Sequence, residues 1–158
     1  MNPVAMSDSI VQEITIKGSA ERIFEALTDP GQLVKWWRAA GLFQATDMES
    51  DLRPGGMWMM RGTGREVRPF IVRGEYQQID PPRLLVLTWI RGGQEDPTET
   101  IVRFDLAETD GVTTVRLTHA GLVNDALRHR NNGWPLVLSL LRAFIEQPVS
   151  PQQPEQTM

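Results

Sequence analysis

An α+β fold is predicted: a curved antiparallel sheet of about seven strands wrapped around one long C-terminal helix, with two short helices after the first strand. Three observations carry it. Short alternating segments separated by turn residues fill most of residues 42–120, with no helical period among them. The one long helical period comes afterwards, in NNGWPLVLSLLRAFIE (131–146). That helix has more apolar surface than a helix lying on a finished protein needs, and a one-layer sheet with an apolar inner face needs a cover.

Taken in order, IVQEITI (10–16) is a strand by its β-branched content. Ser19 is placed to cap AERIFEALT, with Glu21 in the first turn, where the helix dipole favours an anion. Asp29-Pro30 reads as an N-cap followed by proline at the first helical position. The helix it opens, PGQLVKWW, puts Leu33, Trp36 and Trp37 on one side. TDMESDL, the turn Pro54-Gly55-Gly56 and MWMMRG then make two strands, and the loop TGRE leads to PFIVRGEYQQI. There Phe70, Val72, Gly74 and Tyr76 alternate with a more polar set and face inward. Asp80-Pro81-Pro82 turns into RLLVLTWI, which is apolar on both faces, so the facing of residues 84–90 stays open and Trp89 is taken as inward. The turn GGQEDP leads to TETIVRFDLAE, with Val102, Phe104 and Leu106 inward. Asp110-Gly111 makes a hairpin back into VTTVRLTHA, with Val115, Leu117 and His119 on one face.

In the last helix Trp134, Val137, Leu138, Leu141, Phe144 and Ile145 form one face, opposite a polar stripe of Ser139, Arg142 and Glu146. Asn132 is the expected cap, Pro135 is tolerated in the first turn and Pro148 ends the helix. At 1.5 Å per residue it is about 24 Å long, enough to cross a strongly curved sheet. Residues 10–147 are expected to be one domain, between flexible tails at 1–9 and 148–158.

Composition removes several function classes. A net charge of −4 gives no general attraction to nucleic acid or to anionic membranes. No apolar stretch approaches the roughly 18 residues of a membrane span, and the N-terminus lacks the pattern of a signal peptide, so a cytoplasmic location is expected. With no cysteine there are no disulfides, no thiolate catalysis and no ordinary structural zinc site, and two histidines are too few for a transition-metal centre. Gly62-Thr63-Gly64 has no third glycine in the dinucleotide register, and there is no P-loop, H-E-x-x-H or G-x-S-x-G. No cofactor is called for.

Five segments, LTDPGQLVKWW, PGGMW, GEYQQIDPPRLLVLTW, VRFDLAETDGVTTVRLTHAGL and NGWPLVLSLLRAFIE, together resemble the bacterial proteins related to the activator of Hsp90 ATPase. These belong to the START-like (SRPBCC) superfamily, with polyketide cyclases, plant pollen allergens and lipid-transfer domains. The resemblance covers roughly residues 10–147. It implies the helix-grip fold, with a cavity between a seven-stranded sheet and the helix. It does not imply one activity, because the superfamily hosts binding, cyclisation, dehydration and chaperone activation on the same frame.

The expected site lies in that cavity. Met48, Trp58, Met60, Phe70, Tyr76, Trp89, Phe104 and Trp134 point under the helix, which adds Leu138 and Leu141 as its wall. Such residues either fill a core or wall an apolar ligand. The Tyr76 hydroxyl and the His119 imidazole are the candidate polar anchors, since a buried polar group needs a partner that a ligand can provide; the alternative for His119 is a hydrogen bond to the backbone near the His119-Ala120-Gly121 turn. Arg61 is a third polar group for the pocket floor. His129, between Arg128 and Arg130, is either part of an anion site or a solvated loop, and Glu66, Glu95, Asp96 and Glu99 are loop acids near the mouth. The expected function is binding of a small apolar or amphipathic molecule by a monomer or homodimer. Alternatives are a cyclase- or dehydratase-like enzyme, and an interaction module presenting Ile71, Val86 and Ile90 on the outer sheet face.

Overall fold

The computed structural model describes residues 9–91, 98–125, 131 and 133–147. The elements are β1 (Ile10–Lys17), α1 (Ala20–Thr28), α2 (Pro30–Trp36), β2 (Arg38–Ala39), β3 (Phe43–Ser50), β4 (Met57–Thr63), β5 (Pro69–Asp80), β6 (Leu84–Arg91), β7 (Thr100–Thr109), β8 (Val112–Ala120) and α3 (Trp134–Glu146). The strands form one antiparallel sheet in the spatial order β1-β8-β7-β6-β5-β4-β3-β2. The two edge strands, β1 and β2, are consecutive in the chain. The segment between them must therefore pass from one edge of the sheet to the other, and α1 and α2 make that crossing. This accounts for two short helices directly after the first strand.

The sheet has eight strands where the sequence pattern yields about seven. The extra one is β2, two residues paired with Gln44 and Phe43, too short to leave an alternation in the sequence. Irregularities between Ala45 and Asp47 and between Tyr76 and Gln78 interrupt the ladders of β3 and β5. Such bulges bend a strand and increase its twist, which helps the sheet curl.

Both expected caps on the short helices form. The Arg22 N–H donates to Ser19 Oγ at 3.1 Å, and the Gln32 N–H donates to Asp29 Oδ2 at 3.1 Å. The Trp36 indole N–H donates to the Ala26 carbonyl at 2.9 Å and ties α2 to α1. Trp37 is the C-cap of α2, with φ −82° and ψ 72°, and its ring centroid lies 5.4 Å from that of Trp36.

The core lies between the inner sheet face and α3. Leu85, Leu87 and Trp89 join it, which settles the facing of β6: Val86 and Thr88 belong to the other side. Val86 is nonetheless buried, paired across the sheet with Gln78 and Arg103. It is not the exposed apolar residue expected for an interaction face, and Ile90 is half-buried; Ile71, 39% exposed, remains on the surface.

α3 has 13 residues, hence about 20 Å rather than 24 Å of helix. Gly133 is its N-cap, without a side-chain capping bond, while Asn132, the expected cap, and Pro148 lie outside the described residues. Trp134, Val137, Leu138, Leu141 and Ile145 are buried, each worth roughly 1.5–3 kcal/mol of hydrophobic stabilisation. At its far end Ile145 packs so closely on Gly18 that a Cβ there would lie 2.5 Å from Ile145 Cγ2. The Lys17 N–H donates to Glu146 Oε2 at 2.8 Å beside it. The expected tails lie, apart from Ser9, outside the described residues. Among the described residues no helix is long and apolar enough to cross a membrane.

Candidate functional site

A cleft of about 460 Å³ opens at the N-terminal end of α3. Trp134 and Val137 supply its helix side. Met60, Phe70, Val72 and Trp89 supply its sheet side, and Trp37, Leu42 and Phe43 close it where α2 passes into β3. Its volume falls in the range of small-molecule sites, about 300–1,000 Å³. Gly62 shapes one wall. A Cβ there would meet the Gln44 carbonyl oxygen at 2.2 Å and the Phe70 ring at 2.6 Å, so the bare backbone lets the ring lie across β4.

Behind the cleft, between the sheet and the two short helices, the interior is largely filled. A void of only about 40 Å³ remains, lined by Met48, Trp58, Met60, Tyr76, Trp89 and Phe104 among others, which is room for about one water molecule. The filling is aromatic, and all five tryptophans take part. Trp89 is the hub, with ring centroids 5.2 Å from Trp58, 5.3 Å from Trp134 and 6.2 Å from Trp37. Trp37 and Trp134 meet edge to face at 6.1 Å, as do Phe104 and Trp134 at 6.2 Å, a geometry that favours contact between a ring edge and a ring face.

His119 fastens this cluster. The Trp134 indole N–H donates to His119 Nδ1 at 3.0 Å, so Nδ1 carries no proton. The neutral ring then bears its proton on Nε2, which donates to Thr100 Oγ1 at 2.7 Å. The Thr100 hydroxyl passes its own hydrogen to the Trp89 carbonyl at 3.1 Å. This relay joins α3, β8, β7 and β6, with one donor and one acceptor at each step. Burial, helped by the charge of Arg91, lowers the His119 pKa from 6.5 to about 4. Both ring nitrogens are used within the protein, so the imidazole has nothing left to offer a ligand.

The other expected anchor is also taken. Tyr76 Oη is 2.7 Å from Ser50 Oγ, and burial pushes the phenol pKa up. Arg61 is not at the pocket floor at all. It lies on the outer face of β4, paired with Asp47 at 2.5 Å and Glu49 at 3.0 Å. Among the described residues, the buried polar atom without a partner in this region is instead the indole Nε1 of Trp89, a residue that lines both the cleft and the void.

Of the residues expected at the site, Met60, Phe70, Trp89 and Trp134 line the cleft, and Met48, Trp58, Tyr76 and Phe104 line only the void. Leu138, Leu141 and His119 are buried and line neither. Glu66 and Glu99 are solvated, while Glu95, Asp96 and the Arg128-His129-Arg130 segment lie outside the described residues. No group of three or more residues able to hold a metal ion occurs among the described residues.

Sequence reasoning missed Trp37, Phe43 and the basic mouth of the cleft, where Arg65, Arg68 and Arg91 stand. Trp37 carried a signal, since a helix with two adjacent tryptophans cannot hide both on one narrow face. The arginines carried none, because they come from a turn and a strand end that only the fold brings together. The turn is unusual in its backbone. Glu66 and Val67 have φ of 59° and 60°, and Val67 is 76% exposed.

The fold recurs in solved structures of low identity. Protein CV1439 from Chromobacterium violaceum matches with a TM-score of 0.79 and 24% identity, over 90% of this chain and 100% of that one. Protein Ms6760 from Mycobacterium smegmatis matches with a TM-score of 0.76 and 20% identity, over 92% and 93%. CalU16 from Micromonospora echinospora matches with a TM-score of 0.66 and 24% identity, over 88% and 76%. No curated protein matches the sequence. Residues 17–146 match the family described as Activator of Hsp90 ATPase homolog 1-like protein, and with the curled antiparallel sheet gripping α3 the chain belongs to that family, within the START-like superfamily.

Proposed function

We propose that this protein binds a small apolar or amphipathic molecule in the cleft at the N-terminal end of α3. The observation that supports it is the contrast between two neighbouring spaces on the inner face of the sheet. The inner space is packed to about 40 Å³, whereas the outer keeps about 460 Å³ between aromatic walls. A fold that needed only a core would fill both, because an unfilled apolar space forfeits contact energy. The site is therefore the mouth of the helix grip rather than its whole interior, with Phe70, Trp89 and Trp134 as its walls.

Binding is favoured over catalysis by what the polar groups already do. His119 and Tyr76 spend their hydrogen bonds within the protein, and Arg61 faces away. An interaction module presenting the outer sheet face is weakened by the burial of Val86.

The test uses the neutral fluorescent probe N-phenyl-1-naphthylamine and the variant Leu42→Trp, which places bulk at the cleft mouth, where Leu42 is only half-buried. Saturable one-to-one binding by the parent, lost in a variant with an unchanged melting temperature, is expected. Absence of saturable binding by the parent, or equal binding by the variant, would remove the cleft as the site.

A further inference from the structure

The turn between β4 and β5 is built from residues that do not suit its shape. The Arg68 N–H donates to the Arg65 carbonyl at 3.2 Å, and the two residues between them, Glu66 and Val67, have φ of 59° and 60°. That is the pattern of a type I′ turn, whose twist matches a hairpin and whose usual central pair is Asn-Gly. A glutamate brings a Cβ into the left-handed region, and a valine brings a branched one, the least tolerated kind. The hairpin from β7 to β8 shows the ordinary solution. There the positive φ values, 54° and 81°, belong to Asp110 and Gly111. A conflict between local sequence and backbone is characteristic of positions kept for function.

The turn is bonded largely to itself. The Gly64 N–H donates to the Arg68 carbonyl at 2.6 Å, the Val67 N–H donates to the Gly64 carbonyl at 3.1 Å, and the Glu66–Arg68 ion pair is loose at 3.8 Å. Residues 65–69 are all exposed, so moving them uncovers little packed surface. Gly64 leaves room at the base of the turn, since a Cβ there would meet nothing nearer than 3.7 Å.

The turn also stands between two spaces. Gly64, Arg65, Arg68 and Pro69 line the cleft, whereas Glu66 and Val67 line a separate groove shared with residues 38–44. Val67 is 76% exposed, an apolar side chain left in water beside an apolar cleft.

We propose that this turn is a strap that closes over the bound molecule, its sense reversing so that Val67 passes from the groove to the cleft. Closure takes Glu66 and Val67 out of the left-handed region and covers the Val67 side chain. With the cleft empty, the open form is kept because its twist fits the hairpin and because a closed Val67 would have nothing to pack against. A ligand tips that balance through the contact it makes only in the closed form. The proposal rests on the cleft being the binding site, and the test separates the two.

N-phenyl-1-naphthylamine is titrated into the parent, Val67→Asn and Val67→Thr. Asparagine tolerates the left-handed turn, which stabilises the open form, and it offers the ligand no methyl group. Its affinity should fall about tenfold, although its melting temperature rises. Threonine keeps the β-branch and one methyl, so its loss should be only about twofold to threefold. In ¹³C-methyl spectra the Val67 signals, assigned by their loss in Val67→Asn, should show nuclear Overhauser contacts to the bound probe, which Val67 on the groove side does not reach. A probe that binds without those contacts overturns the strap while the cleft stands. Equal losses in the two variants, or none in Val67→Asn, overturn the coupling of the strained turn to binding. Absence of saturable binding by the parent takes down this proposal together with the binding function beneath it.

Discussion

Acid should dismantle the aromatic cluster through one residue. His119 is held neutral because Nδ1 must accept from Trp134 and because burial penalises its charge. Its pKa in the fold is about 4, against 6.5 for an exposed ring. The folded value lies below the unfolded one, so the unfolded chain binds the extra proton first. The contribution is therefore complete above pH 6.5 and is lost as the pH falls from 6.5 to 4. A displacement of that size corresponds to roughly 3 kcal/mol in full, and about 2 kcal/mol is already gone at pH 5. The assay is urea unfolding followed by tryptophan fluorescence at half-unit steps from pH 7.5 to pH 4. The control is His119→Asn, whose side-chain oxygen can still take the Trp134 N–H but does not titrate. The variant should be less stable than the parent at pH 7, because the bond to Thr100 is lost, and its stability should fall by roughly 2 kcal/mol less between pH 7 and pH 5. Parallel curves for parent and variant across that range would refute the role assigned to His119.

Three further outcomes are expected. Gly62→Ala forces a methyl against the Gln44 carbonyl and the Phe70 ring and should cost about 1–3 kcal/mol in thermal unfolding, with weaker probe binding as Phe70 moves; an unchanged melting temperature would show that the wall is softer than described. Val67→Asn replaces a β-branched residue at φ 60° on an exposed turn with one that tolerates this conformation. It should stabilise by about 1 kcal/mol, raising the midpoint by roughly 2–4 °C in calorimetry. Arg61→Ala should leave the affinity for N-phenyl-1-naphthylamine unchanged in a fluorescence titration, because the residue faces away from the cleft with Asp47 and Glu49.

Much of the fold could be read in the chain because its signals are local. The alternation of Phe70, Val72 and Tyr76, the caps Ser19 and Asp29, and the Asp110-Gly111 hairpin each act over a few residues, and the family-like segments agreed with them. What escaped depends on register and bending. The inward set of β6 could not be chosen while both faces were apolar. It is set by pairing, which places Leu85 opposite Phe104 and Leu87 opposite Val102. The filled interior escaped because the facing of Trp58 on its strand and of Trp134 on its helix does not tell that their rings meet that of Trp89 in the middle. The partners of His119 and Tyr76 were illegible for the same reason. Thr100 is 19 residues from His119 in the chain, and Ser50 is 26 from Tyr76. The basic mouth gathers residues from a turn and from the end of β6, which no window of sequence contains.

The order of the strands in space has a consequence for how the chain assembles. β2 to β8 can zip together one hairpin after another as they emerge, each pairing with the strand just made. β1 cannot join this sequence of local steps. Its partner is β8, with Ile14 beside Val115 and Ile10 beside His119, so it waits until the entire meander exists. Closing so long a loop makes this docking an intrinsically slow step. During the wait Ile14 and Ile16 lack their cover, and the last turn of α3 lacks Gly18 to pack on. The first strand of this sheet in chain order is the last to find its place.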